Sequence, residues 1–258
     1  MALVEYAREG AVGRLTLNRP EAGNSVNPAF TAALAEAIDA ACADTVRAIL
    51  IDARGANFSL GGDVRYLAES GNGVADALRD MAARFHEAQL KLCSLSVPIV
   101  SAVQGNAIGG GFGLALSADF ILCADTARFS TGYSRLGLSA DAGVSYFLTR
   151  ALGARRATAL LISSRFFPAE EARMMGIVDD VVPEADLQDR AVSFAVQLAA
   201  GPTAAYAAIK RLTDAAGTSE LTEHLDREAA EIVALATGEQ VPGAIHAIAN
   251  RKQPIFQS

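Results

Sequence analysis

The sequence predicts an α/β protein built on a parallel or mostly parallel sheet and followed by a helical C-terminal region. Three observations carry that reading. Short β-branched or apolar runs alternate with helical runs through the N-terminal half, a pattern that requires βαβ crossovers. After about Ser163 the pattern is helical throughout. With 51% hydrophobic and 20% charged residues, the 258-residue chain has the balance of a folded domain with one substantial core.

The elements follow in order. Residues 12–18 (VGRLTLN) alternate as a strand does, and Arg19-Pro20 ends it. Pro28–Ala43 repeats apolar residues at Phe30, Leu34, Ala37, Ile38 and Ala41, with Asn27 as N-cap and Pro28 in the first turn. Residues 48–52 form a short apolar strand, 74–95 a helix, and Ile99–Val103 and 120–123 further buried strands. Helices are expected over 168–175, 186–200, 203–215 and 220–237, separated by Gly176, Gly201-Pro202 and Gly217. We divide the chain into a core, 1–185, and a C-terminal helical region, 186–258, too small for an independent domain. No internal repeat stands out. Residues 92–118 carry no charge, but Pro98, Gln104, Asn106 and the glycines at 109–111 break them into a buried strand, a turn and a buried helix, not a membrane span.

A net charge of −7 argues against nucleic acid as a partner. The N-terminus has no basic segment leading into an apolar one, so a secretory signal is not expected. Cys42, Cys93 and Cys123 read as buried thiols of a cytoplasmic protein. His86, His224 and His246 show no metal-ligand spacing, and no metal is expected.

Two glycine turns draw the chemistry. Residues 105–113 (GNAIGGGFG) match neither a phosphate loop nor a dinucleotide fingerprint. What remains is a strand, a glycine turn and a helix starting near Gly110, where a backbone N–H can face a ligand oxygen at close range. A turn that only permits tight packing is the alternative for this segment taken alone. Residues 57–64 (NFSLGGDV) repeat the arrangement, with Gly62 before a helix that Asp63 can cap. Two such turns after strands of one sheet can converge on one oxygen, as in an oxyanion hole.

These residues resemble the crotonase (enoyl-CoA hydratase/isomerase) superfamily over essentially the whole chain. Four segments carry the resemblance: Leu17-Asn18-Arg19-Pro20 with Asn24-Ser25, residues 58–63, residues 103–116 and residues 168–183. It implies a crotonase (ClpP-like) spiral of ββα turns with a C-terminal helical region for trimerisation, and an acyl-CoA thioester as ligand. It also implies oxyanion-hole N–H groups on Gly62 and Gly110. The loop from Ala22 to Ser25, Leu60 and Asp63 would contact CoA, although Glu21 stands where a basic residue is common. No cofactor is implied beyond coenzyme A as part of the substrate; a homotrimer or hexamer is.

The hydratase pattern then fails. Its two glutamates match Gly113 and Tyr133 here, and neither is a general acid–base near neutral pH. Another carboxylate stands nearby, Asp141, among small apolar residues whose burial would raise its pKa; a helix N-cap is the structural alternative. Residues 134–141 resemble the stretch in ring-epoxide phenylacetyl-CoA isomerases and dienoyl-CoA isomerases where an aspartate shuttles a proton. His86 falls where 4-chlorobenzoyl-CoA dehalogenase has its catalytic histidine, and Asp141 where that enzyme has its nucleophile, although a histidine on an amphipathic helix is more often a packed or surface residue. The expected function is therefore isomerisation of an acyl-CoA through an enolate, with Asp141 as acid–base, Tyr133 lining the acyl pocket and His86 assisting. Hydration, dehalogenase-like or thioester-hydrolysing chemistry, and non-catalytic acyl-CoA binding are the alternatives.

Overall fold

A computed structural model describes residues 2–238 and 240–256. Of the two expected regions, 1–185 and 186–258, Met1, Glu239 and residues 257–258 lie outside the described residues. The chain runs β1 (Val4–Glu9), β2 (Val12–Leu17), α1 (Pro28–Ala43), β3 (Ala48–Ala53), α2 (Val64–Glu69), α3 (Val74–Cys93), β4 (Ile99–Val103), β5 (Asn106–Ile108) and α4 (Gly110–Leu116). It continues through β6 (Phe120–Ala124), β7 (Arg128–Ser130), α5 (Val144–Leu152), α6 (Ala154–Ser163), β8 (Phe167–Pro168), α7 (Ala169–Met174) and β9 (Asp180–Val182). Helices α8 (Leu187–Ala199), α9 (Thr203–Ala216), α10 (Leu221–Ala236) and α11 (Gln240–Ala249) complete it.

The main sheet has the order β1-β2-β3-β4-β6-β9. Only its first pair is antiparallel; every later pair is parallel. All six residues of β3 are buried, as expected for a central parallel strand covered on both faces. Helix α1 covers one side through Phe30, Leu34 and Ile38, and it starts where the Phe30 N–H donates to the Asn27 side chain at 2.9 Å. Helix α8 crosses β3 and β4 on the other side.

A second sheet, β5-β7-β8, lies beside the first. Isolated bridges extend it, Ser59 pairing with Ala107 and Val26 with Gly62. The chain thus visits the main sheet, then the second layer, then a helix, and repeats: β4, β5, α4, and next β6, β7, α5. The segment β3, Ser59, α2 is the turn before them, its second strand reduced to one bridge. Under this layer Phe112, Phe129 and Phe167 are fully buried, with ring centroids 5.4–6.0 Å apart. They bind α4 to β7 and β8.

Two sequence expectations change here. The segment after Ser163 is not helical throughout: β8 and β9 intervene, and β9 forms the edge of the main sheet beside β6. Strands of two or three residues carry no readable period, so only their pairing reveals them. Cys42 is exposed, not buried, because it lies just past Ala41 at the end of the buried stripe of α1; Cys93 is half-buried and Cys123 buried. Among the described residues no single helix is long and apolar enough to cross a membrane; one sharply bent pair, Glu184–Ala199 with Thr203–Ala216, passes by length and composition only.

Candidate active site

The two glycine turns are consecutive turns of this spiral, and pairing in the second layer brings them together. Ser59 N–H donates to Asn106 O at 3.1 Å and Ile108 N–H to Ser59 O at 2.9 Å. Gly61 follows at φ 79°, and a Cβ placed on it would lie 2.5 Å from Ile108 O and 3.4 Å from the Gly110 nitrogen. Only glycine allows both that backbone conformation and that approach. On the far side Val26 N–H donates to Gly61 O and Asp63 N–H to Val26 O, each at 2.8 Å. Alternation along an extended chain then turns the Gly62 N–H the other way. Gly110 opens α4, so its N–H has no partner within the helix. Among the described residues neither N–H donates to a protein group, and both glycines line one cavity of about 260 Å³.

The same cavity is lined by Tyr133, Asp141 and Ala142, with Met81 and Phe85 of α3 among its apolar walls. His86 is not a lining residue. Its Nε2 lies 2.6 Å from Asp141 Oδ1, across 55 positions of sequence. The expected apolar burial of Asp141 does not occur: its side chain is 43% exposed, because the strap that carries it runs over the surface. Nor does Asp141 cap a helix, since α5 begins after Gly143 with no side-chain cap. The His86–Asp141 contact takes the place of both expectations. Burial first, and then the charge of Asp141, push the Tyr133 phenol up against the smaller opposing effect of the Asp141 backbone N–H, so the hydroxyl stays protonated. At Gly113 there is no room for any side chain, because a Cβ would lie 2.1 Å from Ala142 O.

Comparison with known proteins places the chain in a family. The family model for enoyl-CoA hydratase/isomerase matches residues 7–258. The chain belongs to that family. It is 36% identical over 222 residues to a 1,2-epoxyphenylacetyl-CoA isomerase of Escherichia coli, covering 85% of each chain. It is 32% identical over 192 residues to a 4-chlorobenzoyl coenzyme A dehalogenase of an Arthrobacter species, covering 74% of this chain and 70% of the other. The crystal structure of an enoyl-CoA hydratase from Polaromonas superposes with a TM-score of 0.92 at 30% identity, over 98% and 99% of the two chains. The fold is that of the crotonases.

The motifs that mark this enoyl-CoA hydratase/isomerase family member now have physical roles. Asn24, at φ 53°, accepts from Arg19 N–H at 2.7 Å and donates to Arg54 O and Asn57 O at 3.0 and 2.9 Å. It ties the exit of β2 to the exit of β3. Ser59 Oγ donates to Asn24 O at 2.7 Å and accepts from Gly61 N–H at 3.2 Å, so the tie reaches the glycine turn. Leu60 lines the cavity and its N–H donates to Gly23 O; Ser25 Oγ donates to Ala22 O, and neither Ala22 nor Ser25 lines the cavity. Asp63 has both oxygens engaged within the protein: one receives Arg19 Nη1 at 2.7 Å, the other the Arg65 and Tyr66 N–H groups at 3.1 and 3.2 Å. It shapes the turn next to Gly62.

Burial opposes the charge of Asp63, but the Arg19 guanidinium and the α2 N–H groups outweigh it and hold the carboxyl below its ordinary range. A depressed carboxyl stabilises the fold above its unfolded pKa of about 4, and the contribution is lost as pH falls through the lower folded value. Asp63→Asn should therefore melt below the wild type at pH 7, and the gap should close in thermal melts as pH falls below about 4.

One residue of this site is absent from the sequence reading. Gln89 is a polar side chain inside the buried stripe Met81, Phe85, Ala88 and Leu92 of α3, and it is 6% exposed. A polar residue at a core position of a helix was the available signal.

Proposed function

We propose that this protein isomerises an acyl-CoA thioester through an enolate held by the Gly62 and Gly110 N–H groups, with Asp141 moving the proton. The observation that supports this most is that Asp141 lines the same cavity as both free N–H groups, while the hydratase glutamate position, Gly113, is filled by Ala142 O. A thioester acidifies its neighbouring C–H, and removing that proton places charge on the carbonyl oxygen. Two preorganised donors stabilise the charge where it develops. Asp141 as a carboxylate takes the proton from one carbon and returns it to another. A carboxylate only accepts, so His86 donates to it from Nε2 and orients it. Tyr133, protonated, lines the acyl side.

A second reading, dehalogenase-like or thioester-hydrolysing chemistry, is favoured by the 2.6 Å His86–Asp141 contact itself. There the Asp141 carboxylate attacks the carbon that bears the leaving group, expelling halide from a haloaryl ring or CoA thiolate from the thioester. Water deprotonated by His86 then hydrolyses the resulting ester or anhydride to release the product and restore the carboxylate. Exposed Leu221, Ile232, Ile245 and Ile248 on α10 and α11 support self-association, read as a trimer or a dimer of trimers. A cytoplasmic enzyme needing no cofactor beyond the CoA of its substrate completes the proposal.

A mass-spectrometric screen of enoyl-, dienoyl-, aryl- and halo-aryl-CoA esters in deuterated water separates these chemistries. Isomerisation gives deuterium uptake at constant oxygen content; hydration adds water; dehalogenation releases halide. The isomerase reading fails where no ester gains deuterium or changes its chromatographic retention at unchanged mass.

A further inference from the structure

We propose that Gln89 is the positioning residue for the Asp141–His86 pair, clamping the strap that carries Asp141 onto α4. This rests on the reading of Asp141 as the proton-transfer group. Gln89 Nε2 lies 2.7 Å from Ser117 Oγ, 3.0 Å from Ala142 O and 3.2 Å from Gly113 O. Two hydrogens thus serve three acceptors, spread over α4, the residue that ends it, and the strap. One of those acceptors, the Ala142 carbonyl, belongs to the residue next to Asp141.

The strap needs such a hold. Ala142 has φ 52° and Gly143 φ 71°, two successive left-handed residues, the first of which carries a side chain. That bend is not favoured locally, so surrounding contacts must impose it. Gly113 supplies the opposite jaw, since the bare backbone there lets Ala142 O approach to where a Cβ would stand. His86 and Gln89 lie three residues apart, on one face of α3. A single helix therefore fixes the backbone of the strap through Gln89 and its carboxylate through His86. The Gly113 position and the Asp141 position are coupled: space for a glutamate at 113 and a seated Asp141 strap exclude each other.

The test is Gln89→Met, which keeps the length of the side chain and removes both hydrogens. Turnover on the ester found by the screen should fall about 10–100-fold, the effect of misplacing a reacting group by a fraction of an ångström. KM and the affinity for an unreactive CoA thioester should stay within about twofold. The acid limb of the kcat profile should move, and the ¹⁵N resonance of His86 Nε2 should shift as its contact with Asp141 loosens. Ser117→Ala should change both readouts in the same direction but less. Unchanged turnover and an unchanged His86 resonance in folded Gln89→Met overturn the proposal, as does an equal loss of turnover, affinity and melting temperature, which marks a merely structural amide. If Gln89→Met does not fold, Ser117→Ala decides on the same two readouts. Asp141→Asn, run in parallel, separates the two claims: if it stays active, the acid–base reading falls, while the His86 resonance still decides whether Gln89 sets the pair.

Discussion

Asp141→Asn should lower turnover by about 10²–10⁴-fold, the usual contribution of a positioned general acid–base, and leave the affinity for acyl-CoA almost unchanged. The amide keeps the size and keeps a hydrogen bond to His86 within reach, so the strap should remain seated. What it loses is the capacity to hold a proton in transit. Affinity should survive because the N–H groups proposed to bind the carbonyl oxygen, those of Gly62 and Gly110, come from the backbone of two other turns. Single-turnover kinetics with a separate binding measurement distinguishes these effects. A parallel loss of binding and turnover would instead mean that Asp141 holds the loop or the ligand, not the proton. In the dehalogenase-like reading the same substitution also stops turnover, and halide release in the wild type tells the two apart.

Gly61→Ala should cost about 10²–10³-fold in turnover, or roughly 3–4 kcal/mol, the typical effect of losing one donor of such a hole. The reason is geometric. A methyl group at residue 61 meets Ile108 O at 2.5 Å, on a backbone at φ 79°. The left-handed conformation alone costs an L-residue about 1–2 kcal/mol. To relieve the overlap, the 59–62 segment must move away from β5, which carries the Gly62 N–H away from the Gly110 N–H. Gly62→Ala is a useful contrast. A Cβ there meets only Leu67 Cδ1, at 4.0 Å, so that substitution should be far milder. Turnover and melting curves of the two variants side by side check the expectation. Equal, small effects would mean that the turn tolerates displacement and the donors are not preorganised.

The sequence made parts of this site legible and hid others for physical reasons. Gly62 and Gly110 could be read because a glycine at a strand-to-helix turn is a local signal, and each lies within a dozen residues of its strand. That the two turns can converge was legible from their places after strands of one sheet; the pairing that brings them together was not, since it depends on the single bridge Ser59–Ala107 and on the three-residue strand β5. Asp141 and His86 were each visible by position within the family pattern. Their contact was not, and the apolar residues around Asp141 pointed to burial that the surface path of the strap prevents. Arg19, Asn24 and Asp63 stand in the family motifs, and the hydrogen bonds by which they hold the first turn together join residues up to 44 positions apart, which no local pattern reveals. Gln89 went unread because one polar residue on a charged amphipathic helix resembles its solvated face until the register of Phe85, Ala88 and Leu92 fixes it inside. The crossing of α8 over β3 and β4 lies beyond local pattern altogether, since it joins elements that most of the chain's central part separates.

The central claim is that two backbone N–H groups polarise a thioester carbonyl, and vibrational spectroscopy reads that directly. Acetyl-CoA labelled with ¹³C at its carbonyl would be bound to the wild type and to Gly61→Ala, and the isotope-edited infrared band of the carbonyl recorded. The oxyanion hole predicts a band clearly below that of free acetyl-CoA in the wild type, returning most of the way in Gly61→Ala. A wild-type band at the solution frequency, with the ligand shown to be bound, would contradict the account.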